Sequence, residues 1–144
     1  MPDLMLWYSS ADLYSIAEEY GLEGREAYNT MHFTFDIIWP LIYTLFLSTT
    51  ISWIYQRIST SSAWWMKLNL APTFAMLLDF LENSATSWVM SRYPQPSPLA
   101  AALSPLFTFS KWVFVLLSAA ILLSGIAMGI GKLIKERHNE AGNH

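Results

Sequence analysis

The sequence predicts an all-α integral membrane domain: three transmembrane helices preceded by a short amphipathic helix at the interface. Three observations carry this expectation. Of 144 residues, 53% are hydrophobic and 15% aromatic, whereas 13% are charged, against roughly 25% charged in a soluble domain. Three stretches, 33–55, 68–90 and 105–130, each supply the ~20 residues a helix needs to cross ~30 Å of hydrocarbon. The links between them, 56–67 and 91–104, are short and either polar or proline-rich. The length fits one membrane domain, residues 1–144.

The first predicted element is a helix over 11–20. Ser10 is a candidate N-cap and Gly21 a candidate terminator. Leu13, Ile16, Ala17 and Tyr20 fall on one face, with Asp12, Glu18 and Glu19 off it. That pattern suits a helix lying on the interface, too short and polar to span. The spans at 33–55, 68–90 and 105–130 follow. Pro94, Pro96 and Pro98 exclude one continuous helix over 91–104. Residues 132–144 read as a polar, frayed cytoplasmic tail. Residues 1–20 begin with an acid, Asp3, and lack the apolar core of a cleavable signal, so targeting is expected to rest on the first span.

Composition excludes several classes of chemistry. There is no cysteine, hence no disulfide, thiol nucleophile or thiolate metal site. The net charge is −3 and no basic run is long enough to track a phosphate backbone, so nucleic acid is not an expected partner. Orientation follows from the cations. Arg57, Lys67, Lys132, Lys135 and Arg137 gather at one side and Arg25 and Arg92 at the other. The positive-inside rule then places the N-terminus outside and the C-terminus in the cytoplasm. Trp53, Trp64 and Trp65 would mark the inner interface, Trp88 and Tyr93 the outer one.

The informative residues are polar ones inside apolar spans. Asp79, Glu82 and Asn83 interrupt LNLAPTFAMLLDFLENSATSWVM, residues 68–90. Charge at the bilayer centre costs from ~2.5 to more than ~10 kcal/mol, so it marks function or tight pairing. The spacing i, i+3, i+4 puts all three on one helical face. In the first span Arg25, Asn29, His32, Asp36, Pro40 and Tyr43 recur at steps of three or four, and Pro40 frees the carbonyl of Asp36. In the third, Ser104, Thr108, Lys111 and Ser118 share a face. The depths agree on one cluster in the outer half of the membrane. It would hold Asp36, Glu82, Asn83 and Lys111, with His32 and Arg25 above. Lys111 is expected to pair with Asp36 or Glu82. Two carboxylates one turn apart rarely both ionise in low dielectric, so Asp79 or Glu82 is expected to hold a proton, Asp79 being the deeper.

Bland uses of the same residues compete with functional ones. Buried polar groups serve as interhelical glue at ~0.6 kcal/mol each. His32, Asp36 and Glu82 have metal-ligand chemistry, but a lone histidine near an interface is more often an anchor, and no metal or other cofactor is expected. Gly125-x-x-x-Gly129 fits close helix packing within or between chains. Ser9, Ser10 and the serines at 59–62 lack a base at catalytic spacing and read as loop.

Gly24-Arg25 with Tyr28, Asp36…Pro40…Tyr43, Leu68-Asn69-Leu70-Ala71-Pro72, Asp79…Glu82-Asn83, Tyr93-Pro94 and Lys111-Trp112 together resemble a group of small, largely bacterial multi-span membrane proteins of unassigned function. The resemblance covers most of residues 14–115. It implies a shared polar site and a bacterial inner membrane, and supplies no chemistry. The Asp-x-x-Glu-Asn run alone is also similar to the small membrane glutathione-transferase superfamily. The arginine and asparagine of that motif are missing here, where residues 75–81 read AMLLDFL.

The expected function is that of a subunit of a membrane complex or a lipid- or cation-binding component, with membrane lipids and a homo-oligomer or larger complex as partners. The alternative is an intramembrane enzyme acting on a lipid or isoprenoid, with Asp79 or Glu82 as general acid and Asp36 as base or cation stabiliser. Proton or cation passage is weaker, because the cytoplasmic half of the spans reads as dry, offering little beyond small uncharged groups such as Thr49, Thr50 and Asn69.

Overall fold

The computed structural model describes residue 2, residues 5–58 and residues 65–141. Every regular element among them is helical: α1 (Ser10–His32), α2 (Phe35–Ile58), a 3-10 helix (Trp65–Leu70), α3 (Ala71–Arg92) and α4 (Pro98–Ala141). Two runs are long and apolar enough to cross a membrane: Ser10–Ile58, which carries α2, and α4. Only 17% of each apolar window is buried within the bundle. A helix apolar all round and yet so exposed needs an apolar solvent or a partner. α3, with 22 residues, is close to α2 in length, but its polar side chains keep it out of that pair.

Each helix boundary has a local cause. The N-cap of α1 is Ser9, not Ser10. Ser9 and Asp12 form a reciprocal capping box. Gly21 breaks α1 at φ 63°, a left-handed conformation open to glycine at little steric cost. The helix resumes beyond it and runs to His32, where the sequence reading expected no helix. Its predicted apolar face is buried, with Leu13 and Ala17 at the centre. That face packs on α3 and α4 residues such as Val89, Met90 and Ala101. Pro98 opens α4, since a first-turn residue needs no N–H partner. The fourth helix therefore starts earlier than 105 and encloses Pro105. It also continues as exposed helix through 132–141, where fraying was expected. The expectations for Trp64, the Trp65 side chain and the serines at 59–62 fall outside the described residues.

α3 is the central element. Thr44 donates to the Pro72 carbonyl at 3.3 Å, Ser48 to the Asn69 carbonyl at 3.0 Å, and Asn69 to Ser52 at 2.8 Å. These bonds tie the middle of α2 to the 3-10 helix and to the start of α3. At the other end Ser10 and Tyr14 of α1 reach the start of α4, at Ala101 and Ser97. Two apolar cores result. One gathers Tyr8, Leu13, Ala17, Tyr28, Val89, Met90 and Ala101, the other Ile51, Tyr55, Ala71 and Ile121. In register along α3 and α4, the charged residues lie between the two.

Candidate functional site

Helical spacing on α3 and α4 builds the centre. Lys111 Nζ lies 2.9 Å from Asp79 Oδ1 and 2.5 Å from Glu82 Oε2. The Lys111 side chain is 8% exposed and that of Glu82 0%. Asp79 and Glu82 are one turn apart, so a single ammonium reaches both. The other Glu82 oxygen, Oε1, accepts from the Thr108 hydroxyl at 2.5 Å. Thr108 has one proton, and the carboxylate is its charge-assisted acceptor. The Tyr8 hydroxyl, 3.1 Å from Thr108, completes the chain of contacts. Tyr43 of α2 lies close enough to feel the charges of Asp79 and Lys111.

A second polar group sits where α1 meets α2. His32 is buried and stacks on Tyr28 with ring centroids 3.8 Å apart. Its Nδ1 is 2.9 Å from the Tyr28 carbonyl, which can only accept, so Nδ1 carries a proton and a bond from Nε2 to Asp36 needs a second one, on the imidazolium or on the carboxyl. Nε2 then faces Asp36 Oδ2 at 3.4 Å. The Asp36 side chain is 31% exposed. His32 and the buried Asn83 share the wall of a cavity of about 220 Å³ with Phe33, Ile37, Phe80 and Ser84.

The single cluster expected from the sequence is thus divided. Lys111 pairs with Asp79 and Glu82, and Asp36 with His32. Arg25 stands apart from both. It donates to the Ala17 carbonyl at 2.8 Å and lies 4.8 Å from the Tyr93 ring centroid. Asn29 donates to Ser91 at 2.9 Å. Among the described residues no group of three or more His, Asp or Glu is placed to hold a metal. Gly125 belongs to the α2–α4 contact. A Cβ there would stand 2.8 Å from Tyr55 Cε2.

Tyr8 and Tyr14 carry no periodic signal in the sequence. They precede or open α1, and their partners lie 100 and 83 residues away. Their signal was an aromatic hydroxyl in a segment too polar to span, which needs a buried acceptor or donor if it packs. Comparison of the chain with protein-family models, with curated proteins and with solved structures finds no match.

Proposed function

We propose that this chain is a three-span membrane protein, with α2, α3 and α4 crossing the bilayer, the N-terminus outside and the C-terminus in the cytoplasm. Its role in this reading is that of a non-catalytic subunit of a membrane complex. One observation carries the subunit reading. The Asp36 side chain is 31% exposed, on a surface otherwise made of exposed Phe35, Ile37, Ile38 and Trp39. His32 Nε2 meets Asp36 on one side at 3.4 Å, but the exposed part of the carboxylate would still face an apolar surface, which is costly. A partner helix offering a donor or cation would remove that cost. The inner charges need no such help, because Asp79, Glu82, Lys111 and Thr108 already bond one another.

The same saturation weighs against an intramembrane acid–base enzyme using Asp79 or Glu82. Among the described residues, the cavities at α2–α4, α3–α4, α1 and the His32–Asn83 wall are lined without either residue. A substrate needs a space with the acid on its wall.

A photo-crosslinking amino acid at Ile38, beside Asp36, tests the reading in native membranes. The expected result is a discrete crosslinked band, either a second copy or another membrane protein, that disappears on Asp36→Ala. Crosslinks to lipid alone would overturn it. Orientation is read from Glu18→Cys and Glu140→Cys with an impermeant thiol reagent. Glu18→Cys should react in intact cells and Glu140→Cys only after lysis.

A further inference from the structure

Away from both polar groups, α2 and α4 enclose a groove of about 380 Å³. Its floor is made by two glycines with opposite surroundings. At Gly125 the helices touch, and a Cβ would meet Tyr55 and Ile54 at 3.0 Å or less. At Gly129, one turn later, a Cβ would meet only Ile58 Cδ1, at 3.8 Å. The helices therefore stand apart at Gly129, and Trp53, Ile54, Ile126 and Ile130 wall the opening.

Two cations stand at its mouth. The Arg57 guanidinium lies 4.1 Å from the Trp53 ring centroid. Lys132 Nζ donates to the Arg57 carbonyl at 2.9 Å. Both side chains line the same groove, and neither is ion-paired among the described residues. Glu136, one turn beyond Lys132, also lines the groove and makes no ion pair with either cation among the described residues. A guanidinium fork beside an ammonium is phosphate-binding chemistry. An apolar slot directly beneath it has the shape and lining for a hydrocarbon chain.

We infer that this groove binds an anionic glycerophospholipid, with its phosphate between Arg57 and Lys132 and one acyl chain along Gly129. The inference rests on the membrane reading above. It concerns the opposite end of the bundle from Asp36 and does not depend on a partner subunit.

The test titrates the full chain in mild detergent with phosphatidylglycerol or phosphatidylcholine of equal chain length and counts bound lipid by native mass spectrometry. Wild type should prefer phosphatidylglycerol by about tenfold or more, as two interfacial cations imply. Arg57→Gln with Lys132→Gln, both at exposed positions, should abolish the preference. Gly129→Leu should fill the slot and lose phosphatidylglycerol while keeping both cations. Glycerol 1-phosphate should not compete, because it lacks the chain. Equal binding of the two lipids by wild type would overturn the inference. So would unchanged phosphatidylglycerol binding in the double variant, or competition by glycerol phosphate. Carbonate extraction of cell membranes separates the two levels. A carbonate-resistant protein with no lipid preference defeats the groove alone, and a carbonate-soluble one defeats the membrane reading as well.

Discussion

Lys111 on α4 places its ammonium 2.5 Å from Oε2 of Glu82 on α3, and the Glu82 side chain is fully buried. The pair joins the two helices in the layer between two apolar cores. Asp79, one turn from Glu82, is the second acceptor at 2.9 Å. Lys111→Met would leave two carboxylates facing each other with no cation. Breaking a buried pair from one side costs about 3–5 kcal/mol. The double variant Lys111→Met/Glu82→Gln should cost less, since the fully buried glutamate is neutralised and only Asp79, 14% exposed, has lost Lys111. Asp79→Asn should be milder than Glu82→Gln, because Lys111 keeps Glu82 and Thr108 keeps its carboxylate acceptor. Thermal unfolding in detergent gives the ranking. An unchanged midpoint for Lys111→Met would show that the ammonium reaches water and contributes nothing.

The capping box of α1 predicts an acid-sensitive end. The Ser9 backbone N–H and hydroxyl donate to Asp12 Oδ2 at 2.8 and 2.7 Å. These bonds, the backbone one foremost, hold the Asp12 carboxyl below its ordinary value of 3.8. The folded value is lower than the unfolded one. The cap's contribution is therefore fully present above pH 3.8 and is lost as pH falls through the lower, folded value. An NMR titration of the Asp12 carboxyl carbon should show a midpoint below 3.8. In Ser9→Ala, which loses the hydroxyl donor, the midpoint should move up toward that value.

Much of this arrangement was legible in the sequence because helical periodicity fixes which residues share a face. It brought Asp79, Glu82 and Asn83 together on α3, and Thr108 and Lys111 on α4. It also marked Gly21 as a stop for the first helical stretch. Periodicity does not fix how far one helix is rotated against the next. Periodicity therefore leaves Asp36 and Glu82 as alternative partners of Lys111; Glu82 is the one in contact, and His32, one turn away, is the local partner of Asp36. The resumption of α1 over residues 22–32 was hidden by Gly24 and by charged residues that look like a link. Tyr8 lies in a segment with no period, and no local rule connects it to Thr108.

Two glycines on α4 should respond in opposite directions to alanine. In a helix interior the exchange alone favours alanine by about 1 kcal/mol. At Gly131 nothing lies within 4 Å of the new methyl group, so Gly131→Ala should raise the melting temperature. At Gly125 the methyl group would meet the Tyr55 ring. That ring is pinned by its hydroxyl, which donates to the Ile121 carbonyl at 3.0 Å and lies 2.9 Å from Ser124 Oγ. Overpacking of this kind costs about 1–3 kcal/mol, enough to cancel or exceed the gain. Gly125→Ala should therefore lower the melting temperature, or leave it near wild type with the Tyr55 bonds broken. A rise equal to that of Gly131→Ala would show that the α2–α4 contact is loose.

Pro105 and Ser10 form a compensating pair. Proline has no N–H, so Pro105 leaves the carbonyl of Ala101, four residues earlier, without its helical donor. Ser10 of α1 supplies one, its hydroxyl donating to that carbonyl at 2.9 Å. Ala101 and Pro105 are both buried, so water is a poor substitute. Ser10→Ala alone should then cost about 1–3 kcal/mol, the penalty for an unsatisfied buried acceptor. Pro105→Ala restores an amide that can bond Ala101 within α4. In that background Ser10→Ala should be nearly silent. The interaction energy from a double-mutant cycle should be at least about 0.5 kcal/mol, as for residues in one hydrogen-bond network. Additive effects of the two substitutions would mean that the hydroxyl and the missing amide do not act on the same carbonyl. Ser10 would then hold α1 on α4 by packing alone.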